Sequence, residues 1–162
     1  LVDTGEQTQT GGRLARVRRF LADEDCFCFT YGDGVGDIDI TALIRFHQAH
    51  GKAATVTAVT PPGRFGALGL EGEDVIEFTE KPSGDNGLIN GGYFVLKRGT
   101  LDLIAGDQTA WESEPVTTLA RQHQLVAYRH GGFWHPMDTL RDRTYLEQLW
   151  ASGAAPWKVW AP

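Results

Sequence analysis

The first third of the chain passes from helical to strand spacing of its apolar residues. Leu, Val and Phe recur at helical intervals over 14–21, directly after Thr-Gly-Gly at 10–12, which predicts an amphipathic helix entered through glycines. The uninterrupted apolar and aromatic run 26–31 predicts a strand buried on both faces of a parallel sheet. This strand is expected to end at Gly-Asp-Gly, residues 32–34.

A second helix is predicted over 40–50. Its apolar residues share one face, Asp39 precedes it as a candidate cap, and Gly51 follows it as a stop signal. A strand predicted over 53–59 then completes a strand-helix-strand unit, whose crossover is expected to be right-handed. The pattern therefore predicts an α/β fold.

The rest of the chain alternates short strands and helices. Strands are predicted over 65–70, 75–78, 93–96 and 125–128, and helices near 101–104, 116–123 and 140–150. Glycine and proline are spread along the chain, and no repeat is present. Residues 1–162 are therefore expected to be the central and carboxy-terminal part of one domain.

Composition and charge exclude several classes of partner. Fifteen Lys and Arg against 21 Asp and Glu give a net charge of −6, which disfavours binding to a nucleic acid. No apolar run approaches the roughly 20 residues of a membrane span, and no signal-peptide pattern opens the chain. We expect a cytoplasmic protein without membrane contact. Because Met137 is the sole methionine, translation is expected to begin upstream of Leu1.

Cysteine and histidine spacing favours structural roles. Cys26 and Cys28 are too close along a strand for an unstrained disulfide, so buried thiols are expected. The histidine pairs 47/50 and 130/135 lack a third ligand at a typical zinc spacing. His47 is expected at the edge of the core.

Asp33 is the first candidate for chemistry, because ligands of open α/β sheets bind outside the carboxyl ends of strands. Its carboxylate suits Mg²⁺ that also contacts phosphate oxygens, and Gly32 allows a ligand to approach closely. From the spacing alone, an equally supported alternative is a turn in which Asp and Gly serve only the backbone geometry. Asp37 and Asp39 do not complete the ligand pattern of an EF-hand.

Three further features each have a structural alternative. Asp138 either caps the last helix, which its position alone favours, or supplies a second metal carboxylate. Lys81, before Pro82, either holds a phosphate as a point charge or is solvated. The four arginines between 13 and 19 are interpreted as a solvated helix face.

Seven separated motifs carry a resemblance that spans essentially the whole chain. They are Leu-Val-Asp-Thr-Gly at 1–5, Thr-Gly-Gly-Arg-Leu at 10–14, Phe-Thr-Tyr-Gly-Asp-Gly-Val at 29–35, Pro-Pro-Gly-Arg-Phe-Gly-Ala-Leu at 61–68, Glu-Lys-Pro at 80–82, Ile-Asn-Gly-Gly-Tyr-Phe-Val-Leu at 89–96 and Pro-Met-Asp-Thr-Leu-Arg-Asp at 136–142. In this colinear order they resemble the glucose-1-phosphate cytidylyltransferases, a group of sugar nucleotidyltransferases.

The resemblance implies a Rossmann-like nucleotidyltransferase fold with a mixed, mainly parallel central sheet flanked by helices. It implies a Mg²⁺-dependent reaction in which glucose 1-phosphate attacks the α-phosphorus of CTP, giving CDP-glucose and pyrophosphate at the start of dideoxysugar and O-antigen synthesis. It also implies a homo-oligomer. Four tryptophans would suit the interface of such an oligomer: Trp111, Trp150, Trp157 and Trp160.

The same resemblance assigns roles to single residues. Asp33 and Asp138 match the Mg²⁺-binding aspartates, and Lys81 matches the lysine that holds the sugar phosphate. Further substrate contacts are implied at Thr10, Gly11, Gly12 and Arg13 beside the nucleotide base, and at Gly32, Glu80, Asn90 and Gly91 near the sugar and its phosphate.

Departures from the family pattern leave a rival hypothesis. The triphosphate loop with which the family begins has no counterpart in these 162 residues, so the chain alone is expected to lack useful activity. Ser83 and His135 stand where the family carries Lys and Gln. The rival is a non-catalytic module that binds sugar phosphates or nucleotides, or assembles with other chains.

Overall fold

A computed structural model of the chain describes residues 1–63, 67–71, 74–79 and 87–160. Its helices and strands follow in chain order: α1 (Thr10–Val17), β1 (Cys26–Thr30), β2 (Gly34–Gly36), α2 (Ile40–His50), β3 (Ala54–Val59), β4 (Ala67–Glu71), β5 (Asp74–Thr79), β6 (Ile89–Lys97), α3 (Glu114–Arg121), β7 (Leu125–His130), β8 (Trp134–Pro136) and α4 (Leu140–Ala151). Two stretches of 3-10 helix cover Arg18–Leu21 and Arg98–Leu103.

Most predicted elements are confirmed, and the main helical difference lies at the amino-terminal helix. α1 begins at Thr10, so Gly11 and Gly12 lie inside its first turn and are buried. Residues 18–21 continue it only as a 3-10 helix. The stretch near 101–104, predicted as helical, is likewise 3-10.

Four strands form a mixed sheet in the order β1-β6-β3-β7. β1 is antiparallel to β6, with Cys26 opposite Lys97. β6 also runs antiparallel to β3, because Lys97 N donates to Ala53 O (2.8 Å) just before β3 begins. β7 is parallel to β3, because Ala54 N donates to Gln124 O (3.0 Å) where both strands start. The predicted mixed sheet with flanking helices is confirmed.

The prediction that β1 is buried on both faces of a parallel sheet is wrong. β1 stands at one end of the described sheet, and its neighbour there, β6, runs antiparallel to it. Cys28 and Thr30 are exposed and Cys26 is half-buried, so the expected buried thiols are also corrected. A continuous apolar run does not distinguish a central strand from an outer one when only one face packs.

The chain groups into two compact units. Unit 1 consists of Leu1–Thr30, Ile40–Val56 and Tyr93–Tyr128, and unit 2 of Tyr31–Asp39, Thr57–Gly92 and Arg129–Pro162. That residues 1–162 belong to one domain stays a prediction. Two short antiparallel pairs, β2 with β8 and β4 with β5, lie in unit 2.

An aromatic cluster forms the core of unit 1. Trp111 is fully buried, and its ring lies edge-on to Phe29 and Phe94 at centroid distances of 6.2 and 6.1 Å. Phe29 and Phe94 stack at 5.6 Å. Trp111 is therefore a core residue, and its assignment to an oligomer interface is wrong. Trp150 and Trp160 are more than half exposed and face each other at 6.4 Å.

The arginines of the first helical region bind acidic groups of unit 1. Arg16 donates to both carboxylate oxygens of Asp107, at 2.9 and 2.6 Å, and Arg18 pairs with Asp102. Hydrogen bonds from Arg16 are the main cause that lowers the pKa of Asp107. These pairs remain well exposed, so they align α1 more than they stabilise it. No helix in the described part of the chain could cross a membrane.

Candidate functional site

The two predicted metal aspartates are brought to one end of the β2/β8 ribbon. Gly34 lies opposite Pro136 in this antiparallel pair, and Met137 N donates to Asp33 O (2.7 Å) one step further. Asp138 follows Met137, so the backbones of Asp33 and Asp138 converge although a long stretch of sequence separates them. Both aspartates are exposed. A metal between them stays a prediction.

The structure excludes the capping role of Asp138. The cap of α4 is Thr139, whose hydroxyl accepts from Asp142 N (3.2 Å) while Asp142 Oδ2 accepts from Thr139 N (3.0 Å). This reciprocal capping box satisfies the first turn of the helix without Asp138. The structural alternative that the sequence favoured for Asp138 is therefore wrong.

Two aspartates fit the requirements of Mg²⁺. Proteins hold this ion through one or two carboxylates, and substrate phosphates and water complete its shell. Hard, exposed carboxylate oxygens at the end of the ribbon match that donor set. Within the described ranges, no cluster of three or more His, Cys, Asp or Glu side chains is placed to hold a metal.

Asn90, Gly91 and Gly92 lie in β6, where the Asn90 side chain closes an Asx turn onto the backbone two residues further on, the Asn90–Gly92 turn. Asn90 Oδ1 accepts from Gly92 N (2.8 Å), and Gly92 has a φ of +79°. Gly91 is buried, and a Cβ there would lie 2.7 Å from Val59 Cγ1. The side-chain amide of Asn90 is exposed and has two donors and an acceptor oxygen with two lone pairs. In the described contacts one donor bonds to the Tyr31 hydroxyl and one lone pair accepts from Gly92 N, so the other donor and lone pair can serve a ligand hydroxyl.

Gly32 lies beside Asp33 at the open side of the turn that precedes β2. It is exposed, and a Cβ there would meet no atom within 4 Å in the described part of the chain. Space for a ligand is consistent with the predicted role of Gly32, which stays a prediction. Glu80 and Lys81 lie outside the described residues, as does Ser83.

In unit 1, the segment Thr10–Arg13 makes hydrogen bonds and packing contacts to other residues of the same unit. Thr10 Oγ1 accepts from Trp111 N (2.8 Å) and donates to Glu112 Oε2 (2.8 Å). Gly12 N, at the start of α1, donates to Thr109 O (3.2 Å). A Cβ on Gly12 would lie 2.5 Å from Asp107 O. These glycines therefore have a packing role, and their contact with a nucleotide base stays a prediction.

Arg13 is the exposed member of that segment. Its guanidinium donates to Thr4 Oγ1 (2.7 Å) and to Glu6 O (3.2 Å), which holds the loop before α1. A guanidinium has five N–H donors, so two bonds to its own loop leave donors for an anion.

His47 and His50 are linked through the Thr55 hydroxyl inside unit 1. Lys52 N donates to His50 Nδ1 (3.0 Å), so the neutral His50 carries its proton on Nε2 and donates it to Thr55 Oγ1 (2.7 Å). Thr55 must then donate to His47 Nδ1 (2.8 Å). The neutral His47 therefore carries its ring proton on Nε2, which is buried without a hydrogen-bond partner among the described atoms.

Burial is the main cause that lowers the pKa of both histidines, and the positive charge of Lys97 acts in the same direction. The sequence placed His47 at the core edge. The structure buries it to 2% exposure and uses it as the end of a neutral hydrogen-bond chain.

His135 and His130 belong to unit 2 and serve the ribbon. His135 Nδ1 approaches Pro136 O (2.7 Å), and its ring lies 4.9 Å from that of Tyr145. His130 Nε2 lies 2.9 Å from Asp37 Oδ1. The two histidines thus contact different partners.

A family comparison decides what this arrangement belongs to. The model of the family described as "Nucleotidyl transferase" matches residues 3–135. The chain is a member of the nucleotidyl transferase family. This family membership agrees with the fold and with the resemblance carried by the seven motifs.

Individual relatives sharpen the assignment. The chain is 59% identical over 160 residues to the glucose-1-phosphate cytidylyltransferase of Salmonella typhi. The aligned residues cover 99% of this chain and 62% of the relative. The chain is 41% identical to the probable glucose-1-phosphate cytidylyltransferase of Bacillus subtilis, with 98% and 62% covered. The chain therefore spans less than two thirds of the length of these nucleotidyl transferase relatives.

A solved structure supports the fold. The putative glucose-1-phosphate thymidylyltransferase of Bacillus anthracis, in complex with a sucrose, superposes with a TM-score of 0.66 at 15% identity and covers 98% of this chain and 65% of its own. At this identity the similarity supports the nucleotidyl transferase fold and gives no information on the substrate.

Trp134 and Tyr31 join the candidate site in the structure, although the sequence motifs gave no role to either. Trp134 Nε1 donates to Gly91 O (2.8 Å), and Tyr31 OH accepts from Asn90 Nδ2 (3.3 Å). The available signal was proximity in sequence, because Tyr31 stands two residues before Asp33 and Trp134 four before Asp138. Aromatic residues this close in sequence to candidate ligands are therefore candidates for the same site.

Proposed function

We propose that the chain carries the chemistry of a glucose-1-phosphate cytidylyltransferase, which transfers a cytidylyl group from CTP to glucose 1-phosphate with Mg²⁺ as cofactor. The identity of 59% with the Salmonella typhi relative supports this substrate pair. The structural observation that carries the proposal is the β2/β8 ribbon, because Met137 N bonds to Asp33 O and so brings both aspartates together.

The reaction forms one bond and breaks one. A phosphate oxygen of glucose 1-phosphate bonds to the α-phosphorus of CTP, the bond from that phosphorus to the bridging oxygen of the β-phosphate breaks, and pyrophosphate leaves with the electron pair. When bound, Mg²⁺ supplies neutralisation of phosphate charge. The protein's share of the rate is positioning and electrostatic stabilisation.

The residues divide this work by position. Asp33 and Asp138 offer the carboxylates for the cation, and the Asn90 amide and Gly91 backbone orient the sugar hydroxyls. Lys81 is proposed to hold the sugar phosphate, and Glu80 a hydroxyl. The segment Thr10–Arg13 is proposed to select the base, since a site that hydrogen-bonds one base rejects others strongly.

The cellular setting belongs to the same proposal. CDP-glucose would feed the dideoxysugars of O-antigen in the cytoplasm, and the protein would act as a homo-oligomer. The exposed rings of Trp150 and Trp160 suit an interface between copies.

A second candidate is a module that binds sugar nucleotides without catalysis. It is the rival hypothesis that the sequence motifs leave open. Both candidates predict binding of CDP-glucose, and they differ in what Mg²⁺ does to it.

The test is calorimetric titration of CDP-glucose into the 162-residue protein, with Mg²⁺ and with EDTA. Wild type is expected to bind more tightly with Mg²⁺. Asp33→Asn and Asp138→Asn should each lose about 10- to 150-fold in affinity in Mg²⁺, the size of a charged contact, and little in EDTA. Glu147→Gln removes an exposed carboxylate of unit 2 that pairs with Arg143, and it should behave as wild type.

Other outcomes decide between the candidates. Binding that ignores Mg²⁺ in wild type supports the non-catalytic module. Release of pyrophosphate from CTP and glucose 1-phosphate at 1–10³ per second, the range usual for enzymes, would show that these residues suffice for catalysis and would contradict the expected inactivity of the chain alone.

A further inference from the structure

The indole of Trp134 joins the β2/β8 ribbon, which ends beside Asp33 and Asp138, to the Asn90–Gly92 turn that is proposed to bind the sugar. Trp134 lies on β8, and its Nε1 donates to Gly91 O over 2.8 Å in a partly buried setting. The indole N–H is a donor only, and a buried donor without an acceptor is costly. This bond therefore ties a strand that leads to Asp138 to the backbone between Asn90 and Gly92.

Tyr31, which lies between β1 and β2, contacts the same turn from another segment of the site. Tyr31 N donates to Gly92 O (3.0 Å), and its hydroxyl accepts from Asn90 Nδ2 (3.3 Å). The ring lies so close that a Cβ on Gly92 would be 2.7 Å from Tyr31 Cδ2. Both chain segments that carry the aspartates thus hold the turn, Tyr31 before Asp33 and Trp134 before Asp138.

The turn cannot easily adjust by itself. Asn90 Oδ1 fixes Gly92 N (2.8 Å), and Gly91 packs against Val59 with no room for a side chain. A displacement of Trp134 would therefore move the turn as a body relative to the aspartates. Misplacement of reacting groups by about 1 Å can cost about 100-fold in rate.

We propose that Trp134 is a positioning residue that couples cation binding at Asp33 and Asp138 to sugar binding at the Asn90–Gly92 turn. The proposal rests on the proposed function, since it takes these two places as the cation and sugar contacts. The Nε1 bond to Gly91 O transmits the coupling, because order imposed on the ribbon by the cation is imposed on the turn as well. Tyr31 supports the turn on its other side.

The test compares wild type with Trp134→Phe, which keeps a ring and removes the indole N–H. The affinity for CDP-glucose is measured by calorimetry in Mg²⁺ and in EDTA, and the ratio of the two affinities is the coupling. Wild type is expected to show a ratio of about 10- to 150-fold, the size of a charged contact, and Trp134→Phe a ratio at least about fivefold smaller, because the direct contact of the cation with the phosphates remains. Loss of stability alone leaves this ratio unchanged in the folded protein.

Trp150→Phe is the matched control, because Trp150 is an exposed tryptophan of the same unit on α4. It should keep the wild-type ratio. Two-dimensional NMR spectra of the indole N–H groups verify that each variant is folded and identify the Trp134 signal by its loss. That signal should exchange slowly in wild type and shift when CDP-glucose and Mg²⁺ are added together.

The outcomes separate this inference from the proposed function. If wild type shows Mg²⁺-dependent binding and Trp134→Phe keeps the full ratio, the coupling role is overturned while the function stands. If wild type shows no Mg²⁺ dependence, the proposed function fails and the coupling fails with it. A folded Trp134→Phe whose ratio is at least about fivefold smaller than that of wild type supports the coupling.

Discussion

The segments Thr10–Arg13 of unit 1 and Asn90–Gly92 of unit 2 both combine paired glycines with polar side chains, and they use these residues differently. In unit 1 the glycines lie in a helix against the backbone of Asp107 and Thr109, and Thr10 bonds to Trp111 N and Glu112. In unit 2 Gly92 has a positive φ of +79°, Gly91 packs against Val59, and the exposed Asn90 amide keeps a donor and a lone pair that the described contacts leave unused.

This difference separates two reasons for a glycine pair. The pair in unit 1 allows two pieces of backbone to approach each other, whereas in unit 2 only Gly91 serves close packing and Gly92 gives the backbone a conformation that other residues rarely adopt. The motif strings alone do not distinguish these roles. Substitutions at each pair should therefore affect stability and binding in different proportions.

The largest effect is expected for Gly12→Ala. A Cβ at Gly12 would lie 2.5 Å from Asp107 O and 2.6 Å from its Cα, and backbone cannot yield as a side chain can. We expect a loss of about 3 kcal/mol in the free energy of unfolding, at the upper end of typical overpacking costs, measured by urea denaturation. Gly99→Ala is the control, since nothing lies within 4 Å of its added methyl group in the described structure. Equal stability of the two variants would contradict the packing role.

A smaller effect on stability, with a larger one on binding, is expected for Gly92→Ala. Its φ of +79° costs a non-glycine residue about 1–2 kcal/mol, and the methyl group would press on Tyr31. Gly51→Ala has a similar φ of +66° with no neighbour within 4 Å among the described atoms, so it measures the backbone cost alone. Only Gly92→Ala should weaken CDP-glucose binding, by about 10-fold. Unchanged affinity would remove this turn from the site.

The smallest effect concerns pH and distinguishes the buried polar groups of unit 1 from the exposed carboxylates of unit 2. The pKa values of His47 and His50 are lowered from 6.5, first by burial. As the pH falls below 6.5, the unfolded chain takes up protons before the folded one, so the free energy of unfolding should fall.

Urea denaturation of wild type between pH 7 and pH 5 measures this slope. His50→Gln should flatten it, whereas His123→Asn should not, because His123 is exposed at a φ of +54° that asparagine tolerates. A slope that is the same in wild type and His50→Gln would show that the Thr55 hydrogen-bond chain does not set the protonation of these histidines.

The fold could be predicted where an element is long and its apolar spacing regular. α2, α4 and β3 follow the expected spans closely. The strands β2 and β8 were missed, because three residues give no periodicity and their pairing joins distant parts of the sequence. The prediction that β1 is buried on both faces is wrong, and the sequence near β1 could not show this, because its neighbour β6 comes from much later in the chain.

The candidate site could be predicted in its residues and less in their alternatives. Asp138 precedes a Thr-x-x-Asp sequence, and that capping-box signal at Thr139 and Asp142 could have shown that the helix needs no other cap. The burial of Trp111 could not be predicted, because it lies among polar residues and its partners Phe29 and Phe94 come from separate strands.

The distribution of tryptophan gives the protein a natural optical label for each unit. Among the five tryptophans, Trp111 alone lies in unit 1, where it is fully buried, and the other four lie in unit 2. Emission from a shielded indole is blue-shifted and resists soluble quenchers, whereas Trp150 and Trp160 should emit at longer wavelength and quench readily. A denaturation series recorded at both wavelengths would therefore show whether the two units melt together or one after the other.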